Sequence, residues 1–407
     1  MTRELHLAGI YASPGGNLGG WRFPGSPQAA DTDPRFLIAQ ARRLEAAGFD
    51  AVFFADQLAV PDVHPDVVER VSTVNDSLEP ITMLSAIAAA TERIGLIATT
   101  SISYNTPSAI ARQFASLDRI SRGRAGWNVV TSLTDAEARN FGRSAHTDHE
   151  ARYRQAEEAV REVYRLWDEG GIARVSPQGR PLITQAGASP SGRALAARHG
   201  ELVFSGSTRL EDALEYAGDI RRRAEEEGRD PASVLVLPIL ATVVAPTRAE
   251  AEDKHDALTS LLHPRVALGD LEFWLGSVDL RSHDLDGPLP ELPVTNQSHS
   301  HQRAVYDTAR REDLTIRQFV QRAISAVDHI VVGTPDEIAD RVEEWFELGA
   351  ADGFNLMFPY APGSIDDFVD LVVPELRRRG LFRTEYRGRT LRDHLGLVRP
   401  DGGSSAR

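Results

Sequence analysis

The sequence predicts an α/β protein whose eight parallel strands close into a (β/α)8 barrel carrying long insertions. Three observations carry that prediction. Apolar runs of strand length alternate with amphipathic stretches of helical period along most of the 407 residues. The runs are apolar almost throughout, as strands covered on both faces require, rather than apolar at every second position. Eight such runs occur, at residues 5–11, 51–55, 94–100, 125–130, 182–186, 202–205, 234–244 and 354–358, the number that closes a barrel. A doubly wound open sheet is the alternative arrangement of the same units.

Local signals place the helices between these strands. Asp33-Pro34, Thr106-Pro107, Ser189-Pro190 and Thr334-Pro335 each set a capping oxygen before a proline at the first helical position. Gly48 and Gly228 follow the helical stretches at residues 34–47 and 209–227, where a left-handed residue ends a helix. Further stretches of helical period run over residues 82–91 and 107–120. Four segments are too long for plain connections: 12–32, 57–78, 131–148 and about 261–327. They follow strands 1, 2, 4 and 7, so in a barrel they gather at the C-terminal end, where active sites of this architecture sit. One domain over residues 1–398 is expected, with a Gly/Ser-rich tail at 399–407 read as disordered.

Bulk properties exclude several classes. A formal net charge of −14 repels nucleic acid and anionic lipid. The absence of cysteine removes disulfides, thiolate metal sites and thiol nucleophiles. The first five residues run into a strand without a signal-peptide core, and no apolar run reaches membrane-spanning length, so a soluble cytoplasmic protein is expected. Neither a phosphate-loop lysine motif nor a Gly-x-Ser-x-Gly elbow occurs. The glycines at 15–20 lack the closely following helix of a dinucleotide fingerprint, so no self-contained NAD(P)H site is evident.

Seven residues stand out as candidate ligands of a bound group. Ser189 caps a helix that follows a strand directly, and Gly187 lets a ligand approach the backbone, which together make an anion site; the plainer reading is a cap and nothing more. His149 and Tyr153 are the polar members of a helical stripe continued by Ala156, Val160, Val163 and Trp167, and they point at the barrel rim from its first turn; a structural histidine and a half-buried tyrosine would look the same. Asp56 ends the second strand, where it serves a ligand or caps a loop. Asn128 interrupts an apolar strand with an amide able to donate to and accept from a planar heterocycle. Ser101 belongs to a hydroxyl cluster, residues 99–103, at the end of the third strand. His299 and His301 lie in the longest insertion without an evident third metal ligand, so they read as part of a polar loop over the pocket, and no metal is expected. No residue is singled out as catalytic.

The string Ser121-Arg-Gly-Arg-Ala-Gly-Trp-Asn-Val-Val-Thr-Ser132 is far more specific. It resembles the nitrilotriacetate monooxygenase large-component group of the luciferase-like flavin enzymes, whose relatives include dibenzothiophene-sulfone, long-chain-alkane and pristinamycin-type monooxygenases. Other matching strings run the length of the chain, among them Arg93–Ser101, Asn140-Phe-Gly142, His149 to Tyr153, Gln185–Ser189, Val332–Pro335 and Ala351–Leu356. The resemblance implies a (β/α)8 barrel with FMN at its C-terminal face. His149, Tyr153 and Ser189 would hold the phosphate, Asn128 and Asp56 would lie nearer the ring and ribityl chain, and the hydroxyl cluster near Ser101 would be a further flavin contact. It implies a two-component system in which a separate NAD(P)H:flavin reductase supplies FMNH2. O2 would react at the flavin to give a C4a-(hydro)peroxide that oxygenates a small organic substrate at sulfur, nitrogen or carbon. It also implies a homodimer or homotetramer. The chain departs from the group at Gly16 and Asn17, where relatives often carry histidine, and between residues 167 and 181, which is short. Two competing readings remain: a deazaflavin-dependent hydride-transfer enzyme on the same barrel, disfavoured by the 126–132 string, and a catalytically idle flavin-binding protein.

Overall fold

The computed structural model describes residues 3–11, 16–27, 30, 32–60, 64–71, 77–169, 176–292, 295–296, 299–325 and 330–400. Among the described residues nine strands form: β1 (His6–Tyr11), β2 (Ala51–Phe54), β3 (Gly95–Ser101), β4 (Ala125–Val130), β5 (Leu182–Gln185), β6 (Leu202–Ser205), β7 (Leu235–Val244), β8 (Ile330–Gly333) and β9 (Gly353–Met357). β1 to β7 and then β9 pair in parallel, and β9 pairs back onto β1, so the ring closes. The eight predicted runs are its staves. Following the paired residues once around the ring returns to β1 displaced by eight residues, the stagger of a (β/α)8 barrel. β8 is an addition: it pairs with Ala241–Val244 of β7, beyond the stretch of β7 that β9 uses. Its four residues are too few for periodicity to reveal.

Each strand divides its side chains between two cores, which is why the runs read as continuously apolar. Leu7, Val52, Phe54, Leu96, Trp127 and Phe354 face the helices. Trp127 is fully buried there, its ring 5.7 Å from that of Phe114 and 6.5 Å from that of Trp167. Ala8, Phe53, Ile97, Leu182, Leu202, Phe204 and Leu237 fill the lumen. The stagger sorts lumen residues into layers drawn from alternate strands. By register, Phe53, Asn128, Phe204 and Asn355 form one layer, and the Phe53 and Phe204 rings stack across it at 4.8 Å.

The C-terminal segment closes the other end of the barrel. Leu391 and Leu395 enter the lumen core, and Gly95 leaves the space: a Cβ there would come 2.4 Å from Leu391 Cδ1. Beneath them the buried Arg383 guanidinium pairs with Asp50 at 2.6 Å, and His6 meets the same carboxylate at 3.1 Å. Arg399 donates to the Ser176 carbonyl at 3.2 Å, so the chain is held on the barrel as far as that residue; residues 401–407 lie outside the described part.

All four insertions meet at the strands' C-terminal end. The one after β7 carries the helices Pro264–Trp274, His299–Arg311 and Ile316–Ser325 around its own core of Leu268, Leu271, Leu275, Leu289, Ile316 and Phe319. It abuts the insertion after β2, where Asp66 pairs with Arg265 at 3.0 Å and Arg281 at 2.9 Å. Arg22, in the insertion after β1, donates to the carbonyls of Leu261 and Arg70. Asn140, after β4, donates to the Leu58 carbonyl at 2.8 Å. His299 and His301 belong to a helix and not to the polar loop expected of them; their side chains lie outside the described part. Among the described residues no helix is long and apolar enough to cross a membrane.

Candidate functional site

The turn from β5 into the helix Pro190–His199 shows why Gly187 is glycine. A Cβ at Gly187 would come 2.5 Å from Gln185 Nε2, 2.8 Å from Gly192 Cα and 3.0 Å from Tyr153 Oη. A Cβ at Gly192 would meet Gly187 Cα at 2.8 Å and Tyr153 Oη at 3.1 Å. Two glycine backbones therefore close around one phenol hydroxyl at a helix N-terminus, where backbone N–H groups and the helix dipole favour an anion. Ser189 caps this helix, its Oγ accepting from Gly192 N at 3.1 Å. Tyr216 donates to the Gly187 carbonyl at 3.0 Å, and Gln185 accepts from Gly187 N at 2.7 Å, which fixes the turn.

Tyr153 reaches the same place from the first turn of the helix His149–Glu169. Burial pushes its phenol pKa up, and the side chains of Ser189 and Thr131 are its hydrogen-bonding neighbours. A neutral hydroxyl that stays protonated is a donor for an anion. The His149 ring lies 4.9 Å from the Tyr153 ring, and its Nδ1 meets Glu150 Oε1 at 3.3 Å. Since a carboxylate only accepts, Nδ1 carries the proton. Glu150 is held in turn by Ser191 at 2.7 Å.

The hydroxyl cluster adjoins this cradle. Ser101 and Ser132 share a 2.7 Å hydrogen bond, and Ser103 donates to the Thr131 carbonyl at 2.7 Å. Ser132, two residues beyond β4, adopts φ +61°, in the left-handed region. Thr131 thus connects the Ser101 cluster to Tyr153. Below, in the lumen, Asn128 donates to Thr99 Oγ1 at 3.0 Å and accepts from Thr184 Oγ1 at 3.4 Å. The structure therefore brings His149, Tyr153, Gly187 and Ser189 together, with Ser101 beside them and Asn128 in the lumen.

Asp56 stands apart from this chain of contacts, at the end of β2. Burial raises its pKa to about 6, the Gln57 backbone opposes that, and the carboxylates of Glu79 and Glu137 add to it. The folded protein then binds more protons than the unfolded chain between pH about 4 and about 6, so stability falls across that window as pH rises and is level above it. Asp56→Asn is expected to raise the unfolding free energy of the flavin-free protein by about 1 kcal/mol at pH 7 and to change little at pH 4. Denaturant melts at the two pH values check this; equal effects at both would contradict the assignment.

The departure at residues 16 and 17 has a steric reason. A Cβ on Gly16 would lie 2.2 Å from Met357 Cγ, so a histidine there requires the Met357 side chain to move aside. Asn17 is buried and turned into its own loop, its Oδ1 accepting from Gly19 N at 2.7 Å.

Two residues escaped the sequence reading. Arg152 is buried beside Tyr153, where the helical stripe alone suggested only His149, Tyr153 and apolar positions. Asn355 is wholly buried in β9, and neither its Oδ1 nor its Nδ2 has a partner. It shares its lumen layer with Asn128 by register, a relation invisible before the ring closes. A cavity of about 200 Å³ lies elsewhere, lined by Ile239, Leu240, Ile330, Arg341, Trp345 and Phe354, and shares no residue with the cradle.

The combination is a helix N-terminus suited to an anion on the C-terminal rim of a (β/α)8 barrel, above a lumen layer of two phenylalanines and two asparagines. Residues 18–352 match the family of luciferase-like monooxygenases, and the chain belongs to that family. It is 48% identical to one of the subunits of the pristinamycin IIA synthase of Streptomyces pristinaespiralis, over 98% of this chain and 97% of that one. It is 41% identical to nitrilotriacetate monooxygenase component A of Aminobacter aminovorans, over 98% of both chains. Among solved structures, a riboflavin lyase with modified FMN and riboflavin superposes with a TM-score of 0.86 at 30% identity, covering 97% of this chain and 96% of that one. The EDTA monooxygenase of Chelativorans sp. BNC1 does so at 0.77 and 31%, covering 98% and 99%. These likenesses bear out the resemblance read from the sequence and mark a flavin-using oxidoreductase. An F420-dependent secondary alcohol dehydrogenase shares the fold alone, at 18% identity and a TM-score of 0.59.

Proposed function

We propose that the protein is the oxygenase of a two-component system, taking FMNH2 from a separate NAD(P)H:flavin reductase and using O2 to oxygenate a small organic substrate. The observation that carries this reading is the convergence of Tyr153, Ser189, Gly187 and His149 on one point at a helix N-terminus. These groups suit a phosphomonoester, with Tyr153 and Ser189 as donors and the glycine backbones permitting close approach. Asn128, already oriented by Thr99 and Thr184, would serve the flavin ring, and Ser101 and Asp56, at the ends of β3 and β2, would serve its other polar parts. Bound reduced flavin supplies two electrons to O2, so that one oxygen atom enters the substrate, the other leaves as water and FMN is left oxidised. The chain's own task is to anchor the phosphate, orient the ring and keep water out beneath the joined insertions. The names of two relatives, one a component of a monooxygenase and the other part of a multi-subunit synthase, fit a protein that works with a partner. A homodimer or homotetramer completes the proposal.

An oxygen-uptake screen with reduced FMN and a generic flavin reductase tests this activity. Substrate-stimulated uptake is the expected result; flavin oxidation that no candidate sulfur, nitrogen or carbon substrate alters would favour an idle flavin-binding protein. Tyr153→Phe and Ser189→Ala are each expected to weaken FMN binding by about 1–2 kcal/mol, the scale of a hydrogen bond to a charged group. Fluorescence titration measures this, and unchanged affinity in both variants would remove the phosphate assignment.

Asn355 gives a prediction of opposite sign. An amide buried without partners lowers the stability of the empty barrel. Asn355→Leu, of similar size, is expected to raise the unfolding free energy of the flavin-free protein by about 1–2 kcal/mol while turnover falls. A calorimetric scan with an activity assay reads both; a less stable variant would contradict it.

A further inference from the structure

Of the groups placed around the phosphate above, Tyr153, Ser189 and Gly187 carry no charge and the His149 ring already meets the Glu150 carboxylate, whereas a phosphomonoester carries close to two negative charges at neutral pH. A dianion held partly out of water calls for a cation nearby. Four arginines are buried among the described residues: Arg124, Arg152, Arg383 and Arg392. Arg383 meets Asp50 and Glu4, and Arg392 meets Glu201. Arg124 has no carboxylate, but it donates to Ala88 O, Thr91 O, Thr91 Oγ1, Ile94 O and Ser121 O around the C-terminus of the helix Pro80–Ala90, the negative end of the helix dipole.

Arg152 has neither compensation. Only 1% exposed, it sits in the first turn of the helix His149–Glu169, the end at which a positive charge is disfavoured. Its guanidinium donates to Thr147 O, to Asn296 Oδ1 at 3.2 Å and to Asn296 O at 3.0 Å, and its Nε has no partner. Asp148 and Glu137 act on it only from beyond ion-pair contact, and the phenols of Tyr153 and Tyr104 are its other charge-sensitive neighbours. One residue from Tyr153 and one turn from His149, it shares their part of the helix. The flavin-free fold thus maintains a buried positive charge on the helical turn that carries Tyr153, and among the described residues no carboxylate lies within ion-pair contact of it.

We infer that Arg152 is the buried counter-charge of the flavin phosphate, acting from the same first helical turn as Tyr153, whose phenol already feels its charge. The inference rests on the phosphate reading of the cradle. The guanidinium is a positioning charge held by the Thr147 and Asn296 backbone carbonyls, and the Asn296 bonds also tie the β7 insertion to the same helix.

Binding of FMN and of riboflavin, which lacks the phosphate, separates the possibilities. Both affinities are measured by flavin fluorescence for the natural protein, Arg152→Met, Arg152→Lys and Asn296→Ala, with thermal melts of the flavin-free forms. Arg152→Met is expected to weaken FMN by about tenfold or more and riboflavin by less than about twofold. Arg152→Lys, which keeps the charge, and Asn296→Ala, which keeps the guanidinium, are each expected to stay within about threefold for FMN. Equal losses for both flavins in Arg152→Met, or an Asn296→Ala loss on FMN as large as that of Arg152→Met, would overturn the inference in favour of a purely structural arginine. If Arg152→Met does not fold, Arg152→Lys and Asn296→Ala decide it: the inference stands if both keep the preference for FMN and falls if either loses it. A natural protein that binds riboflavin as tightly as FMN would instead refute the phosphate reading beneath it.

Discussion

Gly187→Val is expected to weaken FMN binding by about a hundredfold or more while leaving the barrel folded. The first atom of any side chain at this position already meets Gln185 Nε2, Gly192 Cα and Tyr153 Oη within 3.0 Å. The glutamine amide is able to turn away, but Gly192 Cα is backbone in the first turn of the helix that Ser189 caps. Relief therefore displaces both that helix terminus and the Tyr153 hydroxyl, the two parts from which the cradle is made. Losing both donors at once costs about 3 kcal/mol or more, a fall in affinity of about a hundredfold. The turn lies at the rim, outside the helix-facing and lumen cores, so the far-ultraviolet circular dichroism spectrum and cooperative melt should persist. A folded Gly187→Val protein that binds FMN normally would show that the ligand does not lie against this turn.

Arg383→Met is expected to have the largest effect on stability, a loss of about 3–5 kcal/mol at pH 7, the cost of leaving a buried charge without its partner. Burial alone would raise the Asp50 carboxyl, but the charges of Arg383 and His6, with a hydrogen bond from His6, outweigh it and hold the group at about 2. A carboxyl whose folded value lies below its unfolded one stabilises the fold above pH about 4, and that contribution fades as pH falls toward about 2. With Arg383 removed, burial acts with less opposition and the Asp50 pKa rises. The variant's deficit should then shrink between pH 7 and pH 5 as the carboxyl takes up a proton. The site of damage is the base of the barrel, where Asp50 also accepts from Leu7 N at 2.8 Å and Arg383 donates to His394 O at 3.2 Å beneath the Leu391 and Leu395 plug. Urea unfolding at the two pH values measures both the loss and its pH dependence. A deficit under about 1 kcal/mol, or one that grows on acidification, would contradict this account of the base.

How much was legible beforehand follows from which interactions are local. The barrel was readable because strands buried on both faces leave continuous apolar runs, and because caps such as Asp33, Thr106, Ser189 and Thr334 act within three residues of themselves. Ser189 and Gly187 were readable for the same reason: a cap and a close backbone approach both lie in one short turn. His149 and Tyr153 emerged from helical spacing, and their meeting with Ser189 required the barrel to bring two βα units side by side. Arg152 was hidden because an arginine one position from Tyr153 reads as solvated until its burial against Asn296, 144 residues away, is seen. Asn355 was hidden because its isolation depends on strand stagger, which no window of sequence contains. β8 escaped because four residues give no period, and the helix at His299 because a His/Ser start has weak helical character.

On the proposed reading, a flavin phosphate sits where Tyr153, Ser189 and the Gly187 turn converge, with the ring over the lumen. A crystal structure of the protein soaked with FMN tests it most directly. The phosphate is expected within hydrogen-bonding distance of Tyr153 Oη and Ser189 Oγ, the isoalloxazine lying above the layer of Phe53, Asn128, Phe204 and Asn355. Flavin found in the cavity beside Trp345 and Arg341, or with its phosphate turned to solvent away from Tyr153, would contradict it.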